Sequence, residues 1–233
     1  MANKRPNLKI NMVNVIGRLT TTQIDLKEIF NNSVINDEII GVEYNGKMKG
    51  NIEKKKSFAN CSNMCIKYED RIMKTKLFKS GTVHIPGCRS TKEGADIIKI
   101  LNRNLKLPNS KPQLWLRKTM ITAQFELNMG TIDRTIFASI LRKKYKTYCT
   151  FIPNKYPGLK IKHIIPAKNK IDNERNYVTI IIHRSGKVGI KGANYEYKIK
   201  HAYDFIMDTV NKEKDNISIL DNSEKVKNIS ENE

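Results

Sequence analysis

Residues able to do covalent or metal chemistry are few in this chain, and their spacing is wrong for it. Gly186-Lys187 resembles the end of a phosphate-binding loop, but that motif needs a glycine five residues before Gly186, and position 181 is isoleucine. There is no nucleophile elbow, no HExxH and no convergent pair of carboxylates. Cys61, Cys65, Cys88 and Cys149 form no CxxC pair. Cys61 and Cys65 share one face of a predicted strand but sit about 13 Å apart along it, too far for two ligands of one zinc. All four read as reduced thiols of an intracellular protein. The sequence therefore predicts no enzyme, no metal and no cofactor.

Binding chemistry is better represented. Forty-three Lys and Arg against twenty-three Asp and Glu give a net charge of +20, which points to polyanionic partners, nucleic acid ahead of acidic membrane. The longest apolar run, Val178 to Ile182 with Thr179 inside it, has the length of a strand and not of a membrane span. The opening residues Met1 to Pro6 lack the apolar run of a signal peptide. No basic amphipathic helix argues for attachment to a membrane surface.

The stretch around which the chain is organised occurs twice. Residues 76–87 read KLFKSGTVHIPG and residues 181–192 read IIHRSGKVGIKG. In register they share Ser80/Ser185, Gly81/Gly186, Val83/Val188, Ile85/Ile190 and Gly87/Gly192, an offset of 105 residues (81 to 186). Each copy reads as a strand, a Ser-Gly turn and a second strand, which is a β-hairpin. Alternation divides each hairpin between two faces. Leu77, Val83 and Ile85 point toward helices in the first copy, as Val178, Ile180, Ile182, Val188 and Ile190 do in the second. Lys76, Phe78, Thr82, His84 and Pro86 point away, as do Tyr177, Thr179, Ile181, His183, Gly189 and Lys191. That outer set mixes rings, aliphatics and lysines without a carboxylate. Such a face suits a nucleic-acid groove, with apolar atoms against sugars and bases and charge against phosphates.

Elements able to hold the hairpins also come in two rounds. The first has a strand over 9–16, a helix opening at Thr20 to Thr22, and a strand from Ile39 to Tyr44 running into a Gly- and Lys-rich turn. A strand from Phe58 to Tyr68 follows, then the hairpin and a helix over 91–104 opened by the capping box Ser90-Thr91-Lys92-Glu93. The composition of Leu107 to Pro112 predicts a linker. The second round has a strand over Arg117 to Glu126 and a helix over Asp133 to Lys144, with Ile136, Phe137, Ile140 and Leu141 on one face. A strand from Leu159 to Ile165, the second hairpin and a last helix capped by Asn194 complete it. From Asn211 onward the composition predicts a disordered tail. The implied architecture is α+β: repeats at 1–108 and 109–212, a charged tail at 213–233, and antiparallel sheets with helices on one face.

The duplicated Ser-Gly hairpin, Tyr156-Pro157-Gly158-Leu159 and Asn11-Met12-Val13 together resemble the TATA-binding protein family, most closely its variants in large DNA viruses. The likeness runs over about residues 8–210. It implies a saddle whose concave sheet lies along the minor groove of duplex DNA and bends it by wedging base steps apart. The wedge positions match Phe58 and Phe78 in the first repeat, Tyr156 and His183 in the second. The central groove contacts match Asn11 and Val13, then Thr119 and Ile121. His84 and Pro86, like Gly189 and Lys191, replace an aliphatic and a threonine at the hairpin ends, and Arg89 and Lys187 match phosphate-side positions. With Lys76, Thr179 and Ile181 from the outer face, these are the candidate DNA-binding residues.

The resemblance implies a transcription initiation factor whose partners are AT-rich promoter DNA, a general initiation factor B-like protein and RNA polymerase subunits. Its setting would be a nucleus or a cytoplasmic viral factory. The alternative is an interaction module of the same fold, docked on a polymerase or initiation complex with little DNA bending.

Overall fold

The computed structural model describes residues 5–20, 22–53, 60–107, 110–166 and 176–219, the side chains of 110–114 excepted. Its residues gather into two compact units, Met12–Met120 and Met1–Asn11 with Ile121–Glu233.

In the first unit, β1 (Lys9–Thr20) leads to α1 (Leu26–Asn32), β2 (Ile39–Tyr44) and β3 (Lys47–Gly50). Then come β4 (Cys61–Tyr68), β5 (Arg71–Phe78), β6 (Thr82–Cys88) and α2 (Thr91–Leu105). The strands lie in the order β3-β2-β4-β5-β6-β1, antiparallel at each described pairing. Phe30 of α1 and Ile97, Ile98 and Leu101 of α2 bury one face of this sheet against Val15, Leu19, Leu77, Val83 and Ile85. Helix α2 starts where the sequence predicts, with the Ser90 side chain accepting from the Glu93 N–H at 3.2 Å. The Glu93 carboxylate returns the contact to the Arg89 N–H, one residue before the position a capping box uses.

The second unit uses β7 (Ser110–Glu126, its 121–126 stretch), β8 (Thr131–Ile132), α3 (Arg134–Lys143) and β9 (Tyr148–Ile152). These precede β10 (Tyr156–Ile164), β11 (Tyr177–Ile182), β12 (Lys187–Ala193), α4 (Glu196–Ile217) and β13 (Ser218–Ile219). Its sheet order is β7-β12-β11-β10-β9, with β8 and β13 forming a separate two-stranded pair. Phe137 and Leu141 of α3 and Ile199, Ala202, Ile206 and Val210 of α4 cover Ile121, Ala123, Phe125, Leu159, Ile161 and Ile180.

Both Ser-Gly turns form, and the same bonds build them. The Gly81 N–H donates to Phe78 O (2.9 Å), as Gly186 N–H does to His183 O (3.1 Å). Gly81 O then accepts from Leu19 N–H, as Gly186 O does from Leu127 N–H, each at 2.9 Å. Both glycines sit at positive φ, +73° and +82°, and an added Cβ would stand 2.5 Å from Thr20 Cγ2 at Gly81 and 2.8 Å from Leu127 O at Gly186. Any side chain there would break the turn and the strand contact together.

Several expectations are corrected. Residues 110–112, read as linker, begin β7, and the Lys-rich turn after Tyr44 becomes strand β3, reversed at Asn45-Gly46, both at positive φ. Strand β9 was not foreseen. Ile136 is exposed rather than in the core, whereas Ala138 is buried there. Tyr195, not Asn194, holds the N-cap position of α4 and gives no side-chain bond to it, while Asn194 Oδ1 is buried without a partner among the described residues. The last helix continues through Asn211 to Ile217 because Glu213 is buried and bonded by Lys144 Nζ at 2.6 Å and Tyr145 Oη at 2.9 Å. The rest of the predicted tail, 220–233, lies outside the described residues. No described helix is long and apolar enough to cross a membrane.

Candidate nucleic-acid interface

Each sheet leaves one face without helices, and the residues sort onto it as hairpin alternation predicts. In the first unit, register aligns Glu43, Asn63, Lys76, His84 and Ile16 in one row across five strands. Phe78 and Cys61 face each other in the next row. Phe78 is partly exposed and outside the core cluster, so its ring is available to a ligand. Thr82, His84 and Pro86 are partly exposed on the same face. Burial and the neighbouring Lys76 ammonium hold His84 below its usual pKa, which keeps the ring neutral at physiological pH. Arg89 is exposed just before α2, 4.0 Å from Asp70. Phe58 lies outside the described residues.

In the second unit, Tyr148, Lys162, Thr179, Lys191 and Thr122 form one row, and Thr150, Lys160, Ile181, Gly189 and Gln124 the next. Lys187 is exposed opposite Glu126. The tyrosines lie under lysines, with Lys160 Nζ 4.1 Å from the Tyr156 ring centre and Lys162 Nζ 4.4 Å from that of Tyr177. A Cβ at Gly158 would stand 2.6 Å from Tyr156 Cε1 and 2.7 Å from Ile181 Cγ2. Glycine at 158 thus lets the Tyr156 ring lie across the sheet against Ile181, capped by an ammonium. His183 is its neighbour, ring centres 6.5 Å apart.

Of the four predicted contacts on β1 and β7, two are buried and two lie at the surface. Val13 and Ile121 are packed in the two cores, so neither faces a groove. Asn11 is exposed but grouped with the second unit. Thr119 is partly exposed, and its hydroxyl donates to Asn14 O at 3.2 Å. The residues of β1 that reach the open face include Asn14, Ile16 and Arg18, which pairs with Thr82. Since Leu19 and Leu127 make matching bonds to the two turns, the counterparts of Asn14 and Ile16 are Thr122 and Gln124. Alternation alone could have found them, because Val13, Val15 and Leu19 form one apolar side of β1.

Asn14 is oriented by its surroundings. Its Oδ1 accepts the Gly87 N–H at 3.3 Å, where Gly87 takes φ +81° and β6 gains a residue relative to β1. The Nδ2 amino group is left facing outward as a donor. Thr122 Oγ1 is buried without a partner among the described residues.

The open faces are also not free of carboxylates, contrary to the sequence reading. Glu126 is exposed on β7, and Glu43 is buried on β2, 3% exposed. Cys61 and Cys65 lie on the open face of β4 and Cys88 and Cys149 in the two cores, all as free thiols. Burial pushes the Cys61 thiol up and that of Cys88 to about 11. No group of described residues could hold a metal ion.

A scan against protein-family models finds no match, and a search of curated proteins finds none either. Among solved structures, the chain is similar to the TBP of Methanococcus jannaschii, with 20% sequence identity and a TM-score of 0.63. The match covers 89% of this chain and 99% of that one. At that identity the likeness establishes the fold: α+β, two repeats of antiparallel sheet with helices on one face.

Proposed function

We propose that this protein is a TATA-binding-protein-like transcription initiation factor that binds duplex DNA in the minor groove through its open sheet faces and bends it. The observation that carries this reading is an open face of rings and lysines on a fold shared with a TBP. Phe78 is the wedge that unstacks a base step, an event costing a few kcal/mol. Asn14 donates from Nδ2 to the acceptors that every base pair offers in that groove. Lys160, Lys162, Lys187 and Lys191 answer phosphates, and the helical faces receive an initiation factor B-like protein and RNA polymerase subunits. The setting is a nucleus or a cytoplasmic viral factory.

The test is duplex binding by the purified chain across a salt series, with dyes on the DNA ends to report bending. The expected result is a log–log slope of about −0.9 per phosphate contact with shortening of the end-to-end distance. A flat salt response without bending would contradict the reading. The second reading, a polymerase-docked interaction module, is favoured by Tyr156 lying flat and by Glu126 beside Lys187. It predicts that flat response.

A further inference from the structure

Asn63 is the other asparagine held rigidly on the open face of the first unit, and it is held the opposite way round. It stands in the row with Lys76, His84 and Ile16. Its Nδ2 donates to Glu43 Oε2, while Oε1 of the same carboxylate accepts the Gly46 N–H at 2.9 Å. A carboxylate can only accept, so it compels the amide to turn its NH2 inward and its carbonyl oxygen away. Asn63 Oδ1 has no partner among the described residues and is not sealed from solvent. It borders a cavity of about 300 Å³ lined by Glu43, Cys65, Lys74, Lys76 and Pro86 among others.

An outward acceptor has one base-borne complement in the minor groove. Adenine, thymine and cytosine present only acceptors there, and guanine alone adds a donor, its 2-amino group. We infer that Asn63 is a specificity-determining residue that reads the guanine 2-amino group at one position of the bound site, with Glu43 as the positioning residue that fixes its orientation. This rests on the minor-groove reading above. Two asparagines of one repeat would then ask opposite questions: Asn14 tolerates every pair by donating, and Asn63 demands a G·C pair by accepting.

The test uses the full chain and duplexes selected by it from a random library. Each guanine in a selected duplex is replaced in turn by inosine, which removes only the 2-amino group. The expected result is one position at which inosine weakens binding about fivefold, the scale of one neutral hydrogen bond. Asn63→Ala should abolish that discrimination. Glu43→Gln, which can donate as well as accept and so lets the amide turn over, should reduce it below about twofold. Binding with no inosine-sensitive position, or discrimination unchanged in Asn63→Ala, overturns the inference alone. No duplex binding at any salt removes the minor-groove reading and this inference with it.

Discussion

The two repeats share a turn and differ in what they place beside it. Phe78 and His183 occupy matching positions, each accepting from the glycine that reverses its hairpin. Phe78 offers a bare ring on the open face. In the second repeat the matching surface is already occupied, with Tyr156 laid over Gly158 against Ile181 and capped by Lys160. A ring that wedges must be apolar and uncommitted, because unstacking a base step returns nothing to a side chain already engaged by a cation. On the proposed reading, the first repeat deforms the duplex and the second holds it by charge. The edges differ too: β2 is covered by the added strand β3, while the outermost strand β9 carries Tyr148, 72% exposed.

The largest contrast expected between the repeats is in stability against acid. His163 of the second unit is buried beneath α4, 8% exposed, with His201 Nδ1 2.9 Å from its Nε2 and Phe205 stacked at 4.3 Å. Burial, aided by His201, lowers its pKa to about 4. The unfolded chain has the higher value, about 6.5, so it binds the proton first. Stability is complete above pH 6.5 and is lost as pH falls toward 4, by at most about 3 kcal/mol. Urea midpoints at pH 7 and 4.5 should show this loss, and His163→Gln should shrink it. An unchanged midpoint would mean that His163 does not stay neutral on folding.

Next in size is the wedge. Phe78→Ala should weaken duplex binding by about 2 kcal/mol, roughly thirtyfold. His183→Ala should cost less than about threefold, the scale of an exposed polar contact. Equal losses in a titration would erase the asymmetry. Smaller still is the central pair. Asn14→Ala should lower affinity about fivefold through one lost donor, whereas Thr122→Val should be nearly silent. A larger effect at Thr122 would reverse which repeat reads bases.

Much of this was legible in the chain. Val83, Ile85, Val188 and Ile190 alternate against Lys76, His84, Gly189 and Lys191, and a period of two cannot be satisfied any other way once one face is buried. Ser90 and Glu93 likewise announced α2. What escaped was set by contacts distant in sequence. Val13 reads as a groove contact through the resemblance, whereas the apolar run Val13, Val15, Leu19 places it in the core. Strand β3 is read as a turn because Lys47, Lys49 and Gly50 carry no strand preference of their own; pairing with Gly41 to Tyr44 imposes it. Glu43 carries no sequence signal of its own, because the Asn63 amide and Gly46 N–H that bond it come together only in the fold. The last turn of α4 depends on Lys144 and Tyr145, about seventy residues upstream, which no local pattern reveals.

The claim on which the rest depends is that duplex DNA meets the open sheet faces and not the helices. Lys160, Lys162, Lys187 and Lys191 are exposed on the open face of the second unit, and Lys92, Lys143, Lys200 and Lys212 are exposed on helices. Changing either quartet to glutamine removes the same charge. The open-face quartet should flatten the salt dependence of duplex binding by about 3 to 4 in log–log slope, and the helical quartet should leave it nearly unchanged. Equal flattening by both quartets, or by the helical one alone, would contradict the account.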